Sequence, residues 1–179
     1  GDPVMPMGQS LAAEDLGDLA LFAGLTADHR RELADLCTGV NLEGGEPLVN
    51  EGEATRDLFL LTDGSVRVST GEGGQDRELA VLEPEAVLGE LSLVLGEPRS
   101  ATVAAIGPTA LVRVDGEGFL ARQAAADPAA LQLAWQILAK LAARQAAMNR
   151  EILALSQPAS GAGDEISRLR EKLFAEWSF

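Results

Sequence analysis

The stretch that decides the fold reads GELSLVLGEPRSATV and covers residues 89–103. It places one carboxylate, Glu90, and one guanidinium, Arg99, nine residues apart on either side of a short apolar segment. That segment, residues 90–95, has a single β-branched residue and predicts a short helix, whose first N–H groups are free to bind an anion. The preceding residue, Gly89, has no Cβ, so a ligand can approach the backbone closely there.

The side chains of Glu90 and Arg99 suit a small ligand that carries both sugar hydroxyls and a phosphate. A carboxylate accepts hydrogen bonds from a diol, and the planar fork of arginine matches phosphate oxygens. The formal net charge of the 179 residues is −14, so a phosphate has to be held by a local positive group against a repulsive field. Arg99 is the candidate for that group. The same acidic charge disfavours contact with a nucleic acid backbone.

The chain on both sides of this stretch, from Gly39 to Asp115, alternates short apolar runs with turn residues. Asp63-Gly64 between two such runs is a strong hairpin signal. The spacing predicts an α+β fold that is mainly β, an antiparallel jelly-roll barrel flanked by N-terminal helices and a long C-terminal helix. The predicted strands are Val40–Leu42, Pro47–Val49, Leu58–Leu61, Val66–Val68, Leu79–Leu82, Val103–Ile106 and Ala110–Val114.

Helical spacing of apolar residues marks both flanks of the predicted barrel. Over residues 11–38 it predicts two helices, with Thr26 as the N-cap of the second and Cys37 as a small buried residue on a helix. Residues 116–126 predict a further helix. Asp127-Pro128 resembles a helix start, and the helix that follows is expected to run to about Leu155.

Two strips of apolar residues run along the surface of this last predicted helix. One strip, Leu131, Trp135 and Leu138, is expected to face the barrel, with Trp135 as a core residue rather than a lid over a ligand. The other is a heptad seam with one polar member, which serves equally well for a dimer coil and for packing against the barrel. Its members are Ala134, Leu138, Leu141, Gln145, Met148, Ile152 and Leu155.

The sequence also predicts where the domain begins and ends, and in which cellular compartment the chain lies. We expect residues 1–10 to be disordered or tag-derived, residues 11–155 to form the domain with its flanking helices, and residues 156–179 to be a linker and a short amphipathic helix. No apolar run has the length of a membrane span, and no signal-peptide pattern opens the chain. With a single cysteine, the chain is expected to be cytoplasmic and to make no membrane contact.

Residues 89–103 resemble the phosphate-binding cassette of cyclic nucleotide-binding domains. The resemblance covers roughly residues 18–155 and includes the glycine pattern and the flanking helices. Upstream it is carried by Leu21-Phe22, Leu25, Gly45-Glu46, Gly52-Glu53 and Leu58–Gly64.

The resemblance implies a role for each candidate site residue. Glu90 would accept a hydrogen bond from the ribose 2′-hydroxyl, and Arg99 would pair with the cyclic phosphate. Leu88 and Val81 would form an apolar wall for the base, while Arg144, Gln145 or Asn149 of the long helix would contact it. The main-chain N–H groups that would line the phosphate and sugar belong to Gly89, Leu91, Ser92, Ser100 and Ala101.

A regulatory sensor for cAMP or cGMP, with cAMP favoured, is the function that the resemblance implies. Ligand binding would be relayed through the helix of residues 128–155 to a second copy of the chain or to a larger parent protein. No nucleophile, base and orienting group stand together in the pattern, so an enzyme is not expected, and with His29 as the single histidine neither is a metal site. No basic recognition helix follows Leu155, so contact with nucleic acid is not expected.

Two alternatives to a working sensor remain open. Glu90 and Arg99 could be a vestigial ion pair in a barrel that binds nothing. The barrel could also be an oligomerisation or assembly module, whose helix seam and acidic face make the contacts.

Overall fold

The computed structural model describes residues 11–71 and 76–155, with Leu155 described for its backbone alone. Eight short strands lie between the N-terminal and C-terminal helices of this range. They are β1 (Cys37–Leu42), β2 (Pro47–Val49), β3 (Leu58–Asp63), β4 (Val66–Thr70), β5 (Arg77–Leu82), β6 (Val87–Leu88), β7 (Thr102–Ala105) and β8 (Thr109–Val114).

The strands form two four-stranded sheets, with the orders β1-β8-β3-β6 and β2-β7-β4-β5. All of the recorded strand pairs are antiparallel. The predicted antiparallel, mainly β class is confirmed, although the described pairing forms two separate sheets and not one closed barrel. Every predicted strand is present. The sequence missed β6, whose two residues are too few to show an alternating pattern.

The main core cluster draws buried apolar residues from both sheets, so it holds them together. Val68 and Leu82, on neighbouring strands of the second sheet, pack against it while partly buried. The buried members of the cluster are Val49, Phe59, Leu61, Val66, Leu88, Val103 and Leu111.

The N-terminal helices are shorter than predicted. Helix α1 covers Ala13–Gly17, helix α2 covers Ala27–Leu33, and a single 3₁₀ turn, Ala34–Leu36, follows. The predicted N-cap is confirmed, because the Thr26 hydroxyl accepts a hydrogen bond from the His29 N–H at 3.2 Å.

The prediction that Cys37 lies on a helix is wrong. Helical spacing ends with the 3₁₀ turn, and Cys37 begins β1, where it pairs with Val114 of β8. The residue is fully buried, as expected. Burial, assisted by the negative charge of Asp35, raises the pKa of its thiol to about 12.

Two helices follow β8: α4 covers Gly116–Ala124 and α5 covers Pro128–Leu155. The predicted start of α5 is confirmed, since the Asp127 carboxylate accepts a hydrogen bond from the Ala130 N–H at 2.8 Å. The chain divides into two compact units, Gly1–Ile137 and Leu138–Phe179, so α5 begins in the first and ends in the second. None of the described helices is long and apolar enough to cross a membrane.

The prediction of which face of α5 packs on the barrel is wrong. Leu131, Trp135 and Leu138 are 46, 63 and 54% exposed, and Trp135 is therefore not a core residue. The buried side chains of α5 are those of Ala129, Ala130, Leu133 and Ile137. Small alanine side chains let a helix approach its neighbours closely, whereas the prediction looked only for large apolar residues.

Candidate functional site

A short helix between two left-handed glycines forms one side of the candidate site. Helix α3 covers Glu90–Leu95, the range that the sequence predicts. Gly89 precedes it with a φ of 90°, and Gly96 ends it with a φ of 72°. A Cβ on Gly89 would overlap Nη1 of Arg99 and lie 2.6 Å from the carbonyl oxygen of Asp57. Glycine is therefore required at position 89 both by the backbone angle and by the close approach of Arg99.

The side chain of Arg99 is buried, at 5% exposure, and is held at several points. Its Nε donates to the Thr55 hydroxyl at 3.0 Å, and its Nη2 donates to the carbonyl oxygen of Asp57 at 2.8 Å. The guanidinium carbon lies 5.7 Å from the ring centroid of Phe59, within reach of a cation–π contact. The main chain of Arg99 is also fixed, since its N–H donates to the carbonyl of Glu53 at 2.9 Å.

The third nitrogen of the Arg99 guanidinium, Nη1, is buried and has no hydrogen-bond partner among the described residues. A buried donor without a partner costs free energy, on the order of 1–3 kcal/mol or more for a charged group. Burial also lowers the pKa of Arg99, and the charges of Asp57, Glu53 and Glu90 only partly oppose this. An anion bound at Nη1 would satisfy the donor and stabilise the buried positive charge.

Two polar residues of α3 are also buried. Glu90 is its first residue, at 6% exposure, and Ser92 follows at 3%. Glu90 is close enough for its charge to act on Arg99. The carboxylate and the guanidinium that the sequence singled out are thus both buried, and the charge of Glu90 acts on that of Arg99. We call Gly89, Glu90, Ser92 and Arg99 the Arg99 cradle.

Four other predicted contacts of the ligand lie near the cradle in sequence. Leu88 is buried in the main core cluster, next to Gly89. Ala101 is half-buried, while the side chains of Leu91 and Ser100 are exposed. The roles of Leu91, Ser100 and Ala101 fall to their main-chain N–H groups, which do not depend on where the side chain points. These roles stay predictions, as does the apolar wall that Leu88 would form for the base.

The remaining predicted contacts lie elsewhere. Val81 on β5 pairs with Arg67 and is 47% exposed, whereas its neighbour Leu82 packs against the core. Successive side chains of a strand alternate between faces, so Val81 points away from the core that contains Leu88 and Phe59. Arg144 and Gln145 lie on α5 beyond Ile137, in the second compact unit, and are exposed. Their roles stay predictions.

The sequence analysis missed the three residues that precede β3, Thr55, Arg56 and Asp57, which we call the strap. Besides holding Arg99, the strap reaches α3, because Arg56 donates to the carbonyl of Leu93 at 2.9 Å. A run of three hydrogen-bonding residues before a buried strand is the only signal in the sequence. That signal does not identify the partners, which lie more than 35 residues away along the chain.

No group of three or more histidine, cysteine, aspartate or glutamate side chains that could hold a metal ion occurs within residues 11–71 and 76–155.

Known proteins share this fold and this stretch of sequence. The family model of the cyclic nucleotide-binding domain matches residues 39–124. The chain is 29% identical over 115 residues to the cAMP-dependent protein kinase regulatory subunit of Dictyostelium discoideum. That match covers 62% of this chain and 35% of the relative, so the chain spans about a third of the length of this curated protein.

Solved structures give the same result. The catabolite activator protein of Thermus thermophilus is 30% identical, with a TM-score of 0.60, and the match covers 76% of this chain and 63% of that one. A cyclic nucleotide-binding domain from Methylobacillus flagellatus is 20% identical, with a TM-score of 0.70 and coverage of 88% and 92%. At that identity it supports the fold alone. The resemblance seen in residues 89–103 is confirmed.

Proposed function

Because residues 39–124 match the family model of the cyclic nucleotide-binding domain, we propose that the Arg99 cradle binds the cyclic phosphate of cAMP. The observation that carries the proposal is Nη1 of Arg99, a buried donor without a partner on a guanidinium whose other nitrogens are held. A fixed guanidinium loses little conformational entropy when it pairs with a phosphate, and the planar fork suits the oxygens. The preference for cAMP over cGMP is supported by the name of the Dictyostelium relative.

The sugar and the base would contact other residues of the domain. In this proposal the buried carboxylate of Glu90 accepts a hydrogen bond from the ribose 2′-hydroxyl. The main-chain N–H groups of residues 89, 91, 92, 100 and 101 line the phosphate and sugar. Leu88 would contribute an apolar wall for the base, while contacts of Val81, Arg144 and Gln145 with the base stay predictions from the sequence. Residues 11–155 would be the working unit, with residues 1–10 and 156–179 outside it.

Regulation, and not catalysis, is the output that fits a domain of this family. A ligand shifts an equilibrium between two conformations only if it binds one of them better. We propose that cAMP favours one position of α5, which passes the change to a second copy or to a larger cytoplasmic parent protein. The alternative, an assembly module that binds no nucleotide, is supported by the exposed apolar side chains of Leu131 and Trp135 on α5.

Isothermal calorimetry of the chain with cAMP and with cGMP tests the proposal. Arg99→Lys keeps the charge but loses the fork, and a hydrogen bond to a charged group contributes about 1.5–3 kcal/mol, so we expect binding at least ~10-fold weaker. Arg67→Lys is the matched control, because Arg67 is half-exposed on β4 and pairs with Asp76 at 2.9 Å. A folded wild-type chain that gives no heat at millimolar cAMP would favour the assembly module.

The role of Glu90 can be isolated with a ligand that lacks the 2′-hydroxyl. Glu90→Gln should weaken binding of cAMP but leave that of 2′-deoxy-cAMP unchanged, because the removed interaction is absent from the second ligand. An equal loss for both ligands would show that Glu90 supports the cradle without contacting the ribose.

A further inference from the structure

The turn of residues 50–53 holds the main chain of Arg99 on both sides. The N–H of Gly52 donates to the carbonyl of Arg99 at 2.8 Å, and the N–H of Arg99 donates to the carbonyl of Glu53 at 2.9 Å. Within the turn, the Glu53 carboxylate accepts from the N–H of Asn50 at 2.6 Å. Glu53 is therefore fixed beside Arg99 by its main chain, and its carboxylate is fixed within the turn.

Carboxylates supply the charges that act on the buried guanidinium of Arg99. Among the described residues they are those of Asp57, Glu53 and Glu90. The carboxylate of Asp57 is paired with Nε of Arg113 at 2.6 Å, so a cation offsets its charge. The carboxylate of Glu53 is bonded to uncharged groups, an N–H and a side-chain amide of its own turn. The negative charge of Glu53 is therefore not offset in the way that the charge of Asp57 is.

Phosphates that differ in charge should respond differently to this carboxylate. A cyclic phosphate is a diester with one negative charge, whereas a phosphomonoester has a second pKa of about 6 and is close to a dianion at pH 8. Nη1 of Arg99 is the guanidinium nitrogen left for an anion, and main-chain N–H groups carry no net charge. A second negative charge on the ligand is repelled by Glu53, in a partly buried site where salt screens charges less than at the surface.

We propose that Glu53 is a specificity-determining residue of the Arg99 cradle, whose carboxylate restricts the bound phosphate to one negative charge. The site accepts phosphodiesters and rejects phosphomonoesters such as AMP by charge, whether or not the phosphate is cyclic. The inference rests on the proposed function, because it takes cAMP as the ligand at Arg99. Glu53→Gln removes the charge and keeps an oxygen that can accept from the N–H of Asn50.

A second turn of the same construction, residues 43–46, supplies a matched control. The N–H of Gly45 donates to the carbonyl of Ala105 at 2.7 Å, and the N–H of Ala105 donates to the carbonyl of Glu46 at 2.9 Å. The Glu46 carboxylate accepts from the N–H three residues before it at 2.7 Å. Glu46 is exposed, and its turn holds Ala105 rather than a residue of the cradle. Glu46→Gln therefore repeats the substitution of Glu53 away from the cradle.

Competition calorimetry at pH 8 on the full 179-residue chain tests the inference with cAMP, AMP and the methyl ester of the AMP phosphate. The ester is acyclic like AMP but has one negative charge like cAMP, so it separates charge from ring shape. In the wild type the ester should bind at least about ten-fold more tightly than AMP. In Glu53→Gln, cAMP and the ester should gain about three-fold and AMP about ten-fold, because the repulsion removed scales with the charge of the ligand.

A merely structural role of Glu53 predicts a different result. Loosening the turn around Arg99 would weaken all three ligands by the same factor, because that damage does not depend on the charge of the ligand. Glu46→Gln should leave the three affinities within about two-fold of the wild type. An equal loss in Glu53→Gln, or an ester that binds the wild type no better than AMP does, overturns the inference. The second comparison needs no variant.

The failure of the inference can be told apart from that of the proposed function. If the wild type does not bind cAMP, the proposed function fails and the inference fails with it. If cAMP binds but neither acyclic ligand competes at millimolar concentration with the wild type or with Glu53→Gln, the proposed function stands. Ring shape alone then selects the ligand, and the role of Glu53 is refuted.

Discussion

The position of the Arg99 guanidinium is fixed by its neighbours in the ligand-free domain. Thr55 and Asp57 accept its hydrogen bonds, Phe59 lies within reach of a cation–π contact, and the absent Cβ of Gly89 leaves room for Nη1. Such preorganisation lowers the entropic cost of binding. The unsatisfied donor also raises the free energy of the ligand-free state, so part of the affinity for an anion comes from relieving that cost.

Substitution of Gly89 tests how closely the backbone and Arg99 depend on each other. Gly89→Ala forces an L-residue to a φ of 90° and overlaps Nη1, so we expect a loss of about 2–5 kcal/mol in unfolding free energy together with loss of cAMP binding. Gly45→Ala is the matched control: its φ is 88°, but nothing lies within 4 Å of the added Cβ.

The control should lose only about 1–2 kcal/mol in urea unfolding and keep its affinity for cAMP, since strain is its only defect. Equal losses for the two variants would mean that the approach of Arg99 to Gly89 has no energetic role.

At the residue scale, the sequence predicts the pair that defines the cradle but not its support. Glu90 and Arg99 stand out because charged residues flank a short apolar helix within one contiguous stretch. Thr55 and Asp57 lie 44 and 42 residues from Arg99, and only the tertiary fold brings them to it. A local pattern carries no information about such a distance. Val81 was named through the resemblance; its side chain is 47% exposed, and its contact with the base stays a prediction.

At the element scale, α5 shows how a helix can pack through its small residues. Its buried positions Ala130, Leu133 and Ile137 follow helical spacing, as do the exposed Leu131 and Trp135, which lie four residues apart. Both strips are apolar, so periodicity alone could not distinguish them. Helix α3 was predicted correctly because its apolar run has a single β-branched residue, whereas β6 is too short for any pattern.

The two faces of α5 can be compared by one pair of substitutions. Leu133→Ala removes a fully buried side chain and should lower the unfolding free energy by about 2–5 kcal/mol. Leu131→Ala, two residues away and 46% exposed, should change it by less than about 0.5 kcal/mol. Chemical denaturation of both variants provides the measurement. A larger loss for Leu131→Ala than for Leu133→Ala would restore the predicted packing face.

At the scale of the whole molecule, the charge of −14 opposes the anion that the cradle is built to hold. Long-range repulsion between exposed carboxylates and a phosphate is screened by salt, whereas the contact with buried Arg99 is screened much less. The domain therefore has an attractive site within a repulsive field.

Salt should accordingly accelerate binding, the reverse of the usual behaviour of a phosphate site. Between ionic strengths of about 0.01 and 0.1 M the Debye length shortens from about 30 to 10 Å, so we expect the association rate of cAMP to rise by about two- to five-fold in stopped-flow measurements. Glu97→Gln removes an exposed carboxylate two residues from Arg99 and should reduce this dependence. A rate that falls with salt would show that local attraction dominates the encounter.

The burial of Cys37 has a practical consequence for labelling the protein. Burial raises the pKa of the thiol to about 12, so little thiolate forms at pH 8, and the side chain is fully buried from a reagent. Because the chain has a single cysteine, a second one introduced at an exposed position would take a maleimide dye alone, without removal of the native residue. Spectroscopic probes of α4 and α5 can thus be attached to an otherwise unchanged chain, and any reaction at Cys37 marks molecules that have opened around β1.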